Sequence, residues 1–487
     1  MKHKDRISGS LNTPKTCAPC LARRAAALAA LCLLVPLSFA ALTGCSKDLG
    51  KLHPNTDPET GVFVEGPLDT VRYAVKLYWW GQDADGEVIG FYYQWTLDGA
   101  DPIDTGWTFT AAKNKEFILP VPNGYAVQTF WVKAVDDKGN EDPSPATQSF
   151  PVSNSMPSVA FEEDALPDTT LPAVSFYWHG TDPEGDATVA YYVLWLDGQE
   201  DTPVIVAGAD TTLGPEYITS YGDRTAYLRA VDESQGSSTV VSHTWHVIAP
   251  VGEVLLVDDV PASVAGAATT DAFYRGVVDS LVPAHEYTVF DVASQGAFRS
   301  PREISLILPL FKQVVWYGDT RSTPSAGLAM GQSGIAEFLD NGGSLYVEGV
   351  AVLGDNGSLT AEFAAQYLGV DSLRTQYVSP TNPNSTNFAL SNGWVLQSNL
   401  SLGLDSLKVQ GILGGCEIAH PSSQAETLYY LLPGTYSGQA DNYYLGTLVR
   451  GGVHKAVCVT FPIRRCNGFA TAKQEVAKLL TMLGVGQ

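Results

Sequence analysis

The sequence predicts a multidomain fold, two antiparallel β-sandwiches followed by a doubly wound α/β domain, and three observations predict it. A block beginning at Trp79 recurs at Trp178 without a gap. The residues around both copies alternate as strands do and show no helical period. At Gly252 the pattern changes to continuous apolar runs separated by helix-like spacing. The 487 residues also exceed what one core organises, which agrees with several domains.

The chain begins with Lys2, Lys4, Arg6, Lys15, Arg23 and Arg24, continues with an apolar run over 25–42, and then sets Thr43 and Gly44 against Cys45. A basic segment, an apolar run and small residues in that order are a signal peptide, here 1–44. Small residues let the chain lie extended in a peptidase groove, and the Cys45 thiol is a nucleophile that can accept a lipid. Leu42-Thr43-Gly44-Cys45 resembles the lipobox of bacterial lipoproteins. That resemblance implies cleavage before Cys45, lipidation of Cys45 and a membrane reached through the lipid anchor. A plain transmembrane anchor is the other reading, since the run is close to the roughly 20 residues a span needs. Ser46 stands where retention in the inner membrane usually calls for aspartate, so the resemblance points to the outer membrane. Residues 45–66, with Asn55, Asp57, Pro58, Gly61 and Gly66 and hardly any apolar period, read as a tether.

From 67 to 153 and again from 154 to 249 the chain repeats itself. Setting Trp79 on Trp178 carries Asp83 onto Asp182, Gly86 onto Gly185, Tyr92-Tyr93 onto Tyr191-Tyr192 and Leu97-Asp98-Gly99 onto Leu196-Asp197-Gly198. A second block, 130–136, matches 226–232. Val71, Tyr73, Val75, Leu77 and Trp79 alternate with Arg72, Ala74, Lys76 and Tyr78, the pattern of a half-buried strand. Asp-Gly at 98–99 and 197–198 is favoured in tight hairpin turns because it tolerates positive φ. Units of this size without helical period are antiparallel sandwiches. They resemble fibronectin type III and related immunoglobulin-like modules, which implies that Trp79 and Trp178 fill the two cores while Tyr227 lies in the opposite sheet.

Val254-Leu255-Leu256-Val257, ending in Asp258-Asp259, reads as a strand buried on both faces. Phe273, Val277, Val278 and Leu281 then recur at helical spacing. Strands follow at 287–292, 314–317, 344–347 and 456–461. Helices fall near 302–310, through Ile335, Phe338 and Leu339, near 359–368, and through Val476, Leu479, Leu480 and Leu483, with a long β-rich insertion before the last strand and helix. Such alternation means a doubly wound domain over 250–487. The layout of 253–259, 314–318 and 338–349 resembles the class I glutamine amidotransferase-like, flavodoxin-like fold. That resemblance implies an elbow after Gly349, where a cysteine nucleophile is backed by backbone amides that stabilise an oxyanion. Val350, Ala351 and Val352 stand there instead, so the nucleophile is lacking and no catalytic residue is assigned.

Charge and chemistry bound the function. The 52 Asp and Glu against 29 Lys and Arg, a formal net charge of −23, argue against nucleic acid as a partner. The acid is spread through the chain, as on a solvated exported surface. Cys416, Cys458 and Cys466 allow one bridge in an oxidising compartment, without fixing the pair. Cys416 with His420 imitates a Cys–His pair, yet it falls in the insertion and reads as a disulfide partner or buried thiol. Asp258, Asp259, Asp319 and Glu348 fall at or just after the carboxyl ends of strands, the edge where open α/β sheets bind ligands, so they are candidates for a ligand or divalent ion. The group also resembles the acidic pocket of response-regulator receivers, but export argues against that and 457–462 lacks their lysine. Asp83, Asp85 and Glu87, with Asp182, Glu184 and Asp186, place oxygen ligands at alternate positions and are calcium candidates, without forming an EF-hand. His243 and His246 are three apart in a strand and face opposite ways. Tyr92, Tyr93 and Trp95 read as core or sheet-face residues before a sugar platform. The chain therefore reads as a lipid-anchored cell-envelope protein, non-catalytic in binding or scaffolding, its partner an envelope protein or glycan and its cofactor, if any, calcium or another divalent ion. The alternatives are an exported metal-dependent hydrolase whose acidic crevice activates a metal-bound water, and a structural spacer.

Overall fold

The two copies of the duplication build eight strands each, in the same order. The first has β1 (Glu59–Val64), β2 (Val71–Arg72), β3 (Ala74–Gln82), β4 (Val88–Leu97), β5 (Thr108–Thr110), β6 (Asn114–Ile118), β7 (Tyr125–Asp136) and β8 (Ala146–Ser153). The second has β9 (Ser158–Phe161), β10 (Thr169–Thr170), β11 (Val174–Thr181), β12 (Val189–Leu196), β13 (Val204–Val206), β14 (Asp210–Leu213), β15 (Gly222–Asp232) and β16 (Val241–Val247). The computed structural model describes residues 54–64, 71–283, 286–319, 324–354, 357–374, 388–435 and 439–487. The signal segment, Cys45 and the start of the tether lie outside the described residues. Every element named here belongs to one compact unit, 56–487.

Each copy packs a three-stranded sheet on a five-stranded one: β1-β3-β6 on β2-β8-β7-β4-β5, then β14-β11-β9 on β10-β16-β15-β12-β13. Alternation puts Val75, Leu77 and Trp79 of β3 inward, where the Trp79 ring meets Phe91, Tyr93, Phe117 and Phe130 at 5.5–6.5 Å. Trp178 is likewise fully buried, edge-on to Tyr192 at 5.5 Å. Tyr227 lies on β15, in the sheet across from Trp178, and stacks on Trp195. Apart from the short parallel pairs β2–β8 and β10–β16, these are antiparallel sheets consistent with β-sandwich modules.

Two expectations are corrected. Residues 59–64, read as part of the tether, form β1, paired antiparallel with β3 from Glu59↔Gln82 to Val64↔Leu77. Val62 and Val64 pack on the first core, and the Thr60 hydroxyl accepts a hydrogen bond from the Ala134 amide at 2.7 Å. Two inward valines suffice because β3 supplies the rest of the burial. The Asp-Gly turns form, with Asp98 at φ 51° and Gly99 at φ 74°, but they do not close two-residue hairpins. Each opens a longer connection, and β5 pairs further back on β4, at 91–93.

The second sandwich is fused to the region beyond 253. Leu171 and Ala173 are buried in one core with Phe290, Phe298 and Ile304. Arg299 donates from Nε to the Ala165 carbonyl at 3.1 Å and from Nη2 to the Leu166 carbonyl at 3.2 Å, while the Tyr177 hydroxyl donates to the Arg299 carbonyl at 3.0 Å.

That region is mixed α/β. Its strands β17 (Val254–Asp258), β18 (Thr288–Asp291), β19 (Gln313–Tyr317) and β20 (Ser344–Glu348) and the strand Lys455–Val459 are mutually parallel in the order β18-β17-β19-β20-(Lys455–Val459). Gly446–Val449 and Glu426–Thr427 extend the sheet antiparallel to seven strands. The helices are α1 (Ala267–Val278), α2 (Val292–Gln295), α3 (Pro301–Ile307), α4 (Ala326–Asp340), α5 (Ala361–Tyr367) and α6 (Phe469–Met482). Ser300, Ser325 and Thr360 cap α3, α4 and α5 through their hydroxyls. Strand residues alternate between two cores. Leu256, Val315, Tyr317 and Tyr346 pack with α1 and α6, and Leu255, Val257, Trp316 and Val347 with α3, α4 and α5. Among the described residues no helix is long and apolar enough to cross a membrane.

The bridge that the cysteine count allows is not formed. Cys416, Cys458 and Cys466 are free, buried thiols. Cys458 sits in one core and the other two in the opposite one.

Candidate functional site

The carboxyl edge of the parallel strands carries the acidic candidates. Cross-strand register sets Asp258 beside Tyr317 and Tyr317 beside Glu348, and parity turns all three toward α1 and α6. Asp319 comes two residues after Tyr317, in a left-handed conformation at φ 45°, and joins them. Asp259 has the opposite parity and leaves the group. Its Oδ2 accepts from Trp316 Nε1 at 3.0 Å and from the Ser325 hydroxyl, which anchors the start of α4. Three of the four carboxylates are thus brought together and one is not.

Those three have partners already. Glu348 is fully buried and accepts from the Tyr274 and Tyr346 hydroxyls and from the Ile463 amide at 2.6 Å. Asp319 accepts from the Thr270 hydroxyl at 3.0 Å, forms an ion pair with Arg464, and has Arg465 Nη2 at 3.5 Å. Thr270 and Tyr274 stand one helical turn apart on α1, so one helix serves both carboxylates. Asp258 accepts from the Val260 amide at 3.0 Å, beside Tyr317, whose ring stacks on Tyr274 at 3.8 Å. Burial pushes the Asp258 and Glu348 carboxyls up to about 7, and burial together with Glu348 raises the Tyr274 and Tyr346 hydroxyls. The result is a buried polar cluster in which each carboxylate has at least one partner, while Asp319 Oδ1 and the Tyr317 hydroxyl are left without a hydrogen bond.

The turn after β20 occupies the place of the expected elbow. Val350 and Val352 are buried, and Ala351 adopts φ 55°, a left-handed conformation that strains a non-glycine residue. Its backbone donors are engaged. Gly349 N–H reaches the Val459 carbonyl at 3.1 Å, Val350 N–H the Asp319 carbonyl at 3.1 Å, and Ala351 N–H the Gly415 carbonyl at 3.1 Å. Leu353 N–H points to Glu417 Oε1 at 3.4 Å. The insertion, expected away from this turn, folds back onto it through Gly415 and Glu417. Cys416 therefore lies close by, but burial and then Glu417 raise its thiol well above the usual range, and its Sγ contacts the Leu413 carbonyl at 3.5 Å. His420 packs edge-on against Tyr444. A depression of about 450 Å3, lined among others by Lys312, Gln313, Ser344, Arg450 and Lys455, lies at the amino ends of the strands, away from the acidic cluster.

No family model matches the chain. No curated protein matches it either. Among solved structures it is similar to the fibronectin(III)-like modules of Clostridium thermocellum CbhA, at 14% identity over 38% of this chain and 93% of that one, with a TM-score of 0.20. It is also similar to the FN1–FN3 domains of chicken CNTN1, at 16% identity over 40% and 69% of the two chains and TM-score 0.18. The PKD1 domain of Vibrio anguillarum Epp is similar at 17% identity over 20% and 96%, with TM-score 0.15. With TM-scores this low, the sandwich assignment rests on the sheets and cores described above.

The acidic loops of the two repeats come after β3 and β11. Asp85 accepts from the Thr56 amide at 3.1 Å and from its hydroxyl, with Lys138 Nζ at 3.7 Å. Asp83 Oδ1 lies 3.4 Å from the Asp85 amide, and the Glu87 amide lies 3.4 Å from Asp137 Oδ1. In the second repeat Asp182 accepts from the Glu184 amide at 2.8 Å, and Asp186 from the Asp182 amide at 3.2 Å. Among the described residues no group of three histidine, cysteine, aspartate or glutamate side chains is placed to hold a metal ion. His243 bonds the Pro167 carbonyl while exposed His246 bonds Asp223, on opposite faces of β16. Tyr93 is buried in the first core, Trp95 packs against it, and Tyr92 meets Phe109 on the other face.

Sequence reasoning missed Thr270, Tyr274, Tyr346, Arg464, Arg465 and Glu417. The basic pair Arg464-Arg465, just beyond the last strand, was the one legible signal for a counter-charge at that edge.

Proposed function

We propose that this chain is an exported, lipid-anchored envelope protein in which two fibronectin type III-like sandwiches carry a doubly wound, amidotransferase-like region that binds or scaffolds without catalysis. The observation that carries the non-catalytic reading is the turn at 349–353. It keeps the left-handed geometry of an elbow at Ala351 but has no thiol or hydroxyl there, and its amides are spent on internal carbonyls and on Glu417. An oxyanion hole needs donors aimed at the reacting atom and free to meet it. What weighs against the hydrolase alternative is that Asp319 is paired with Arg464 and Glu348 accepts from two tyrosines and the Ile463 amide. Fusion of the second sandwich to the α/β region through Leu171, Ala173 and Arg299 suits a stalk that holds its cargo at a fixed angle. An envelope protein or glycan is the partner class proposed.

The anchor rests on the sequence pattern at 42–45. Expressed from its own first residue in a bacterium, the chain is expected in the membrane fraction, with fatty-acyl mass on the peptide that begins at Cys45. Cys45→Ser should abolish both the acyl mass and the processing. Identical fractionation and mass for the two proteins would sink the anchor.

A further inference from the structure

The junction between the two repeats holds polar oxygens with nothing to accept. Asn154 Oδ1, Asp182 Oδ2 and Glu184 Oε2 are buried atoms without a hydrogen-bond partner, and Asn154 and Asp182 are each only 7% exposed. The neighbouring bonds bring their residues together. Asn154, just past β8, gives its Nδ2 hydrogen to Asp232 Oδ2 at 2.8 Å and its backbone N–H to the Gly124 carbonyl at 3.0 Å. Ser155 donates to Glu184 Oε1 from its amide at 3.1 Å and from its hydroxyl at 2.7 Å, which leaves Oε2 over. Asp182 Oδ1 takes the Glu184 amide, which leaves Oδ2 over. The Asp182 and Glu184 side chains are within hydrogen-bond reach of each other, so a proton shared between them is what a bound cation must displace, and Asp232 lies near Asp182.

Both repeats close around this spot. Val121 of the first donates to the Ser234 carbonyl of the second at 2.7 Å, and Ser234 in turn holds Asp232 Oδ1 through its amide and hydroxyl. A Cβ at Gly236 would lie 2.5 Å from both Asn154 Nδ2 and Asp232 Oδ2, so only glycine lets the loop close on that pair.

The first repeat serves as an internal comparison. Its loop carboxylate Asp85 also takes an amide and a hydroxyl from the segment before the repeat, but Lys138 stands over it. The register that sets Asp136 on Asp232 puts Ser234 in the place of that lysine. Among the described residues no Lys, Arg or His forms an ion pair with Asp182, Glu184 or Asp232. Crowded carboxylates without a counter-charge are unfavourable, and unpartnered carboxylate and amide oxygens are the hard donors that calcium takes.

We propose that the inter-repeat junction binds one divalent cation of the calcium class, ligated by Asp182, Glu184 and the Asn154 amide oxygen, with Asp232 as the positioning residue that orients the Asn154 amide. Two carboxylates and an amide make up the protein's share, and water or main-chain carbonyls complete a shell of about six to eight oxygens. Asp186 stays outside it, spent on the Asp182 amide. The ion ties the linker at 154–155 to the loop at 182–184 and so stiffens the angle between the repeats. This site is independent of the reading given to the α/β region.

The test is calorimetric titration of the chelator-stripped full chain with calcium. One site per chain is expected, weakened at least tenfold by Glu184→Gln and by Asn154→Ala, and unchanged by Asp85→Asn and Asp258→Asn. Hydrogen exchange of the unmutated chain gives a readout that no folding defect can mimic: calcium should slow the Ser155 and Glu184 amides. No heat at millimolar calcium, binding indifferent to Glu184→Gln and Asn154→Ala, binding lost in Asp258→Asn, or unaltered exchange at Ser155 and Glu184 would each overturn the proposal.

Discussion

Arg464→Ala is expected to destabilise the protein by about 3–5 kcal/mol, because it leaves a buried carboxylate without its main counter-charge. Asp319 has no solvent exposure, and Arg464 lies 145 residues away in sequence on the turn that opens toward α6. What remains for Asp319 is the Thr270 hydroxyl and Arg465, whose Nη2 is 3.5 Å away. Urea unfolding of the full chain measures the loss as a shifted midpoint with an unchanged slope. The double replacement Arg464→Met with Asp319→Asn should recover most of it, since removing both charges leaves none stranded. A loss within about 0.5 kcal/mol for Arg464→Ala, the range of ordinary surface changes, would mean that Asp319 does not depend on that pair.

Acidification from about pH 7 to about pH 5 is expected to stabilise the fold, against the usual trend. Burial pushes the carboxyls of Asp258, Glu303 and Glu348 up to about 7 and that of Glu417 well above its ordinary range. In the unfolded chain the same groups ionise near 4. Between those values the native state keeps protons that the unfolded state has released, so the stability they contribute is complete below about pH 4 and is lost as pH rises through about 7. Each such group changes stability by about 1.4 kcal/mol per pH unit inside the window. Urea midpoints at pH 5, 6 and 7 should therefore fall as pH rises. Glu303→Gln should flatten that slope by about one proton, since its side-chain oxygen can still accept from the Arg299 amide. Midpoints that rise with pH would contradict the assignment of buried, proton-retaining carboxyls.

How far the sequence revealed this molecule depended on whether the signal was local. The alternation of apolar runs and helical spacing after Gly252 marked the strands and helices of the α/β region, because each element buries its own face. The duplication was legible through Trp79 and Trp178, which occupy equivalent places in the two cores. Its upstream end was not. The offset that sets Trp79 on Trp178 also sets Asn55 on Asn154 and Pro58 on Pro157, yet polar composition hides β1, where only Val62 and Val64 reach the core. Asp98-Gly99 marked a turn but not the length of the connection, which partner strands decide. The acidic edge was legible as a row of carboxylates, but their burial was not. Their partners come from α1 and from the turn beyond the last strand, and no periodicity links residue 464 to residue 319. The closing of the 349–353 turn by Gly415 and Glu417 was equally out of reach, since those acceptors come from a separate insertion.

Hydrogen exchange at 349–353 tests the central claim, a catalytically silent turn, most directly. If the turn is closed, the amides of Gly349, Val350, Ala351 and Leu353 should exchange about as slowly as those of Ser344–Glu348, because each donates to a protein acceptor. Fast exchange at Val350 and Ala351 beside a protected β20 would mean donors free to meet a ligand's oxyanion, and would contradict the account.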